Sequence, residues 1–360
     1  MNRWRWAILV VVVLCLGAAA GCGDKALPDI ADGVAAPEPI LIASGESDDS
    51  GSLVILASSD SGSTWDTSAI PELKGSIECA RMASAEEGWV VGSGDGDTPL
   101  VLRTEDGGAT WAEQSVPSGV GRVLSITCLD KSTAWALADS AGGSVALQTA
   151  DGGKTWSQVS LLDSIGDGEG PNSGMITFST DEVGWINAED LVLRTDDGGT
   201  TWVEQTFPGV YGGWFTSIEF TDDASGWFVH NADSDGCEVI RTTDAGASWM
   251  RFVIPEMVYA FDADFVDSQT GWVVGYGEDT VLLVKTSDGG ETWQQQTILG
   301  ITDGDDQPRV FSVLDSETAV LIPSYPMEAI ARTTDGGTTW ALSEVQGGVS
   351  LTEGVVVFGK

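Results

Sequence analysis

Residues 103–111 read Arg-Thr-Glu-Asp-Gly-Gly-Ala-Thr-Trp, and variants of this stretch recur along the chain. Seven segments carry the Asp-to-Trp core: Asp60–Trp65, Asp106–Trp111, Asp151–Trp156, Asp197–Trp202, Asp244–Trp249, Asp288–Trp293 and Asp335–Trp340. Their aspartates lie 46, 45, 46, 47, 44 and 47 positions apart. A second element stands between the boxes. It reads Gly-Trp-Val-Val-Gly at Gly88–Gly92 and Gly271–Gly275, with weaker copies at Trp135, Trp185 and Trp227, and Val320 in the same place in the last repeat. A repeat of this length holding four short apolar runs is the signature of a propeller blade.

Within residues 76–116 the runs fall near Ile77–Ala83, Gly88–Ser93, Leu100–Thr104 and Thr110–Ser115, split by Gly and Asp clusters. Such runs read as strands, and no stretch shows a helical period. The fold expected is all-β: a single seven-bladed β-propeller of four-stranded antiparallel blades over residues 40–360. In the first repeat Pro39–Gly45, Leu53–Ser58 and Thr64–Thr67 match only the second, third and fourth strands. The tail Gly348–Gly359 matches a first strand, so the ring is expected to be closed by the C-terminal strand, which pairs otherwise exposed edges.

The box residues have a structural reading. A carboxylate in the hairpin between third and fourth strands can accept hydrogen bonds from the turn's own N–H groups. Glycine supplies the φ > 0 that the turn needs. The tryptophan starts the outer strand and packs beneath the hairpin. Asp60, Asp106, Asp151, Asp197, Asp244, Asp288 and Asp335 are therefore read as staples, with Trp65, Trp111, Trp156, Trp202, Trp249, Trp293 and Trp340 as their packing partners.

The amino-terminal end reads as a targeting segment. Arg3 and Arg5 precede an uncharged apolar run from Trp6 to Ala20, which closes in Gly-Ala-Ala-Ala-Gly-Cys at Cys22. The run has the length of a secretory signal and falls short of the ~20 apolar residues of a membrane span. The junction resembles a bacterial lipobox, with Ala19 where Leu is usual. This implies a lipoprotein signal peptide over residues 1–21, lipidation of Cys22 and a flexible tether over 22–39. The alternative is ordinary signal cleavage near Ala20, with Cys22 a bystander. The localisation expected is the extracytoplasmic side of the cell membrane, held by the lipid anchor only.

The chain carries a formal net charge of −39 and one histidine, His230. Nucleic acid is excluded as a partner, because phosphates require a basic footprint. Cationic partners are permitted, and solubility or adaptation to salt accounts for the charge equally well. Cys79, Cys128 and Cys237 remain outside the leader, without zinc-ligand spacing, so a zinc site or a His-dependent catalytic centre is not expected. Cys79 and Cys128 fall on neighbouring innermost strands in offset registers, which favours two buried thiols over a bridge. No cofactor is expected, and the protein is read as a monomer.

Asp boxes occur in sialidases, some glycosidase propellers and sortilin-type receptors. The combination here is more specific. Gly88–Gly92 followed by Arg103–Trp111, and Gly184–Trp185 followed by Arg194–Trp202, resemble the photosystem II stability/assembly factor family of Asp-box (BNR) repeat propellers. The resemblance spans nearly all of residues 40–360. It implies a non-catalytic assembly helper beside a membrane, using basic residues for contact. This chain departs from that: Arg103, Arg194, Arg241 and Arg332 recur at one repeat position and read as structural, leaving only Arg81, Arg122, Arg251 and Arg309 outside it.

The function expected is a membrane-anchored, non-catalytic scaffold that binds an unidentified protein or cell-envelope component. The alternative is a carbohydrate-binding or sialidase-type glycoside-hydrolase propeller. A sialidase needs an arginine triad, a Tyr nucleophile with a Glu base and an acid Asp. The candidates are Arg81, Arg122 and Arg309 with Tyr211, Tyr259, Tyr276 or Tyr325, but the Arg-Ile-Pro element of sialidases is missing.

Loops between second and third strands share a face with the blade connections, opposite the Asp boxes. That face gathers Glu46, Asp48, Asp49, Asp95, Asp97, Asp233, Asp235, Glu278 and Asp279 from hairpins, and Asp163, Asp167, Glu169, Asp303, Asp305 and Asp306 from connections. Tyr211, Trp214 and Phe215 join them. An exposed Tyr and Trp among carboxylates can grip a cation or a sugar, and packing over the channel mouth explains them equally well. Asn231, Asp233 and Asp235 have the oxygen spacing of a calcium loop, but Thr242 stands where its final Glu belongs.

Overall fold

The computed structural model describes residues 41–47, 53–60, 64–68, 70, 73–141, 143–161, 174–188, 191–232, 236–277, 280–296, 308–323, 329–344, 349–350 and 357–358. The expected signal peptide, Cys22 and the expected tether lie outside them. Six antiparallel sheets of four strands follow one another, each ordered as in the sequence. They are blade I (residues 75–113), II (120–160), III (174–205), IV (214–253), V (259–296) and VI (308–344). Their first strands pack side by side around the centre, from Gly75–Met82 through Val120–Cys128, Gly174–Phe178, Trp214–Phe220 and Tyr259–Phe265 to Pro308–Val313.

The structure corrects the expected seven four-stranded blades: the described residues form six. The remaining strands form a composite sheet of five, in which Leu41–Ser47, Leu53–Ser58 and Asp66–Ser68 are joined by two C-terminal pieces. Val349–Ser350 pairs with Glu46 and Ser47, while Val357–Phe358 pairs with Leu41 and Ile42. Two two-residue strands thus share one partner where a single closing strand was expected. The reason is visible in the tail, whose apolar pattern is broken by Thr352-Glu353-Gly354. Val357–Phe358 lies against the first strands of blades I and VI.

The outer strands are shorter than expected and begin after the box tryptophan. That of blade I is only Ala112–Glu113, with Trp111 just before it.

The Gly-Trp element has a packing cause. Trp89, Trp135, Trp185, Trp227 and Trp272 are wholly buried on second strands. Trp135 stacks on Phe178 of the next blade at 3.9 Å between centroids, and Trp227 on Phe265 at 4.3 Å. Each such Phe also covers the glycine before the tryptophan of its own blade. A Cβ at Gly184 would stand 2.6 Å from the Phe178 ring, and one at Gly226 2.5 Å from Phe220. One aromatic ring therefore fixes both members of the motif.

A cation closes four of these five units. Arg103, Arg194, Arg241 and Lys285 lie over Trp89, Trp185, Trp227 and Trp272, within about 5 Å of the ring. Three of them reach the box of the following blade. Arg103 donates to the Gly152 carbonyl, Arg241 to that of Gly289 at 3.0 Å, and Lys285 to those of Ser316 and Gly336.

The first strands have no neighbouring strand on their inner side, so their backbone groups must be satisfied otherwise. Side chains of the preceding blade do this. Ser125 Oγ accepts from Ile176 N at 3.0 Å and Glu219 from Phe265 N at 2.8 Å. Asp262 accepts from Phe311 N, and Asp264 from Val313 N at 2.7 Å. The Asn231 amide pairs with both N–H and C=O of Ala260.

Candidate functional site

The hairpins between second and third strands lie at one end of the blades, together with the connections that enter each first strand. Asp95 and Asp97 occupy the hairpin of blade I. Asp97 has φ +59, a left-handed conformation uncommon outside glycine. Next to it in blade II, Arg122 forms an ion pair with Asp139 at 3.4 Å. Burial holds the Asp139 carboxyl above its ordinary range against the pull of Arg122, and Asp97 adds to the rise by repulsion. Asp163, Asp167, Glu169, Asp233, Asp235, Asp303, Asp305 and Asp306, with Asp48, Asp49, Glu278 and Asp279, lie outside the described residues.

Tyr211 and Trp214 stand on the same end, Tyr211 in the connection that enters blade IV and Trp214 at the start of its first strand. Tyr211 is 83% exposed and Trp214 45% exposed. The segment is Gly209-Val-Tyr-Gly-Gly-Trp214, and Gly209, Gly212 and Gly213 all have positive φ. At Gly213 a side chain is impossible, since its Cβ would meet the Asn231 carbonyl at 1.9 Å. Beneath the segment, Phe207 packs among Phe215, Phe228 and Trp249.

A buried network pins this segment, and nothing in the sequence reading pointed to it. Glu238 is 5% exposed and receives two partners. His230 Nδ1 lies 2.9 Å from one carboxylate oxygen and Arg251 Nε 2.6 Å from the other. Both partners then reach the aromatic segment: His230 Nε2 is 2.7 Å from the Gly212 carbonyl, and Arg251 Nη1 donates to that of Gly209. These residues come from the second, third and fourth strands of one blade, at chain distances that no local motif displays. Val253 and Val258 are exposed at the same end.

Asn231 is buried, with its carbonyl oxygen engaged by Ala260 N, and so is withdrawn from the calcium loop read in the sequence. Among the described residues no group of three or more His, Cys, Asp or Glu is placed to hold a metal ion. Cys79, Cys128 and Cys237 are buried thiols, and burial pushes that of Cys237 far up.

The described residues considered for sialidase chemistry have other surroundings. Arg81 is buried in blade I, its Nε and Nη1 without hydrogen-bond partners among the described residues. Arg122 is engaged by Asp139, while Tyr259 and Tyr276 pack on each other and on Phe261. The side chain of Arg309 and all of Tyr325 lie outside the described residues.

The opposite end carries the Asp boxes. In blade III, Asp197 Oδ1 accepts from Thr201 N and Thr195 Oγ1, both at 2.8 Å, and Oδ2 accepts from Thr201 Oγ1 at 2.7 Å. Trp202 Nε1 donates to the Gly199 carbonyl at 3.1 Å. The same pattern binds Asp106, Asp151, Asp244, Asp288 and Asp335, whose carboxyls these hydrogen bonds hold below the ordinary range. Asp60 accepts from Thr64 in the same way. A cleft of about 610 Å3 opens at this end between the composite sheet and blade I, with Ser58, Asp66, Glu86, Glu105 and Asp106 on its walls.

The family model described as photosynthesis system II assembly factor YCF48 matches residues 57–168 and 249–348, more than half of the chain. The chain belongs to this family. No curated protein matches it in sequence. Solved structures share the fold of this YCF48-family chain. A YCF48 from Cyanidioschyzon merolae is 17% identical, with 79% of this chain and 90% of that one covered and a TM-score of 0.60. A structure titled as YCF48 bound to D1 peptide is 20% identical, covers 75% and 81%, and has a TM-score of 0.56. A protein from Lactobacillus plantarum is 16% identical, covers 90% and 99%, and has a TM-score of 0.60.

Proposed function

We propose that this YCF48-family chain is a non-catalytic scaffold, held on the extracytoplasmic side of the cell membrane by a lipid on Cys22, that binds a segment of another protein. The observation that carries the reading is family membership, taken with the solved YCF48 whose title names a bound peptide. The pinned Tyr211–Trp214 segment supports a binding role, because exposed aromatics on an ordered base lose little conformational entropy on contact. The site is the end bearing Asp95, Asp97, Tyr211 and Trp214.

Crosslinking in native membranes tests this directly. The intact chain should capture a discrete protein. A variant with Asp95, Asp97, Asp233, Asp235, Asp303, Asp305 and Asp306 changed to Asn, together with Tyr211→Ala and Trp214→Ala, should lose it. Unchanged capture would move the site off this face, and glycan binding without protein capture would overturn the scaffold reading. Cys22→Ser should shift the chain from the membrane to the soluble fraction, and continued membrane residence would refute the lipid anchor.

A further inference from the structure

We propose that Tyr211 and Trp214 form a cation-recognising surface, and that its occupant is an extended peptide bearing Lys or Arg beside aliphatic residues. The inference rests on the protein-binding reading above and specifies the chemistry of the partner.

Four observations carry it. Tyr211 and Trp214 expose their rings three positions apart, whereas every second-strand tryptophan is buried. Their segment is held by the Gly209 and Gly212 carbonyls through Arg251 and His230, so the rings stand on a fixed base. The cations of blade IV are spent: Arg251 on Glu238, and Arg241 on the Gly289 carbonyl at the far end. Exposed Glu256, Val253 and Val258 lie on the same end of blades IV and V, with Asp95, Asp97 and Asp139 further along it.

Aromatic faces attract cations through their quadrupole, most strongly when a negative field surrounds them and no fixed cation competes. Of the described residues at this end, Lys74 and Arg251 are exposed cations; Lys74 belongs to blade I, and the charge of Arg251 is balanced by its ion pair with Glu238. Val253 and Val258 offer apolar area to the methylene stem of Lys or Arg, or to an aliphatic neighbour in the peptide.

The test uses the full chain in detergent and three fluorescein-labelled dodecapeptides: alternating Lys and Val, the same with acetylated Lys, and alternating Glu and Val. Fluorescence anisotropy should show binding of the Lys peptide alone, weakened by salt. Tyr211→Ala with Trp214→Ala should weaken it at least about tenfold, while Tyr211→Phe with Trp214→Phe, which keep the π faces, should hold it within about threefold. Circular dichroism of both variants should match that of the parent chain. Equal binding of the acetylated or Glu peptide, or unchanged binding by the alanine variant, would overturn the proposal. Membrane crosslinking that persists in the alanine variant would overturn it while leaving the scaffold reading intact.

Discussion

Asp197 and Asp262 are both aspartates in hydrogen-bonded positions, yet pH acts on them in opposite senses. Asp197 is solvent-facing, and donors from Thr201 and Thr195 hold its carboxyl below the ordinary range, as in five other boxes. The folded chain therefore binds fewer protons there than the unfolded one. This stability is present above the ordinary carboxylate pKa of about 4 and is lost as pH falls through the folded values. The melting temperature should drop on acidification below about pH 4, and the drop should be shallower in Asp197→Asn. Equal slopes would show that this box contributes nothing to the acid transition. Asp262 is fully enclosed, and burial pushes its carboxyl well above the ordinary range, with Asp264 adding to the rise. Its contribution is full below the unfolded pKa and lost as pH rises toward the folded one. Asp262→Asn fixes an uncharged group in its place. The melting-temperature difference, variant minus parent, should become more positive from about pH 4 to about pH 7. A constant difference would mean that Asp262 titrates alike in both states.

Within a blade, the second strand joins its neighbours through one tryptophan. Trp185 has no exposed surface and meets Phe220 of the next blade at 5.4 Å, Trp249 at 5.5 Å and Arg194 at 5.0 Å. Trp185→Ala should cost about 3–5 kcal/mol, and Trp185→Phe clearly less, as read from urea unfolding. A loss under about 1 kcal/mol for the alanine variant would mean that the site collapses around the gap. The blade interior was legible because boxes and Gly-Trp elements repeat in sequence. Lys285 escapes a reading of the position over the second-strand tryptophan as an arginine column. Aligning Lys285-Thr286 with Arg103-Thr104 would have found it, since a carbonyl acceptor takes either cation. The bridges of Asp262, Glu219 and Asn231 span 29 to 49 residues and follow no local pattern. The exposed Tyr211 and Trp214 could be read from their Gly-rich segment, but the His230–Glu238–Arg251 anchor could not, because it forms only when three strands align.

For the molecule as a whole, the composite sheet is where the expected count failed. Register between residues more than 300 positions apart depends on the assembled ring, and no repeat encodes it. Removing residues 349–360 strips both C-terminal strands from Leu41–Ser47. The truncated chain should melt at a lower temperature and run as larger species in size-exclusion chromatography, as unpaired edges associate. An unaltered melting temperature would show that these strands contribute nothing to closure. The bridges between blades share one polarity. Ser125, Glu219, Asn231, Asp262 and Asp264 each serve backbone of a later blade, and Arg103, Arg241 and Lys285 each reach forward to the next box. A chain made from its amino terminus thus lays down each of these eight groups before the backbone that it serves. Each blade leaving the ribosome meets a surface already prepared, so the propeller is written in the order in which it is translated, and only its last strands must travel back to the beginning.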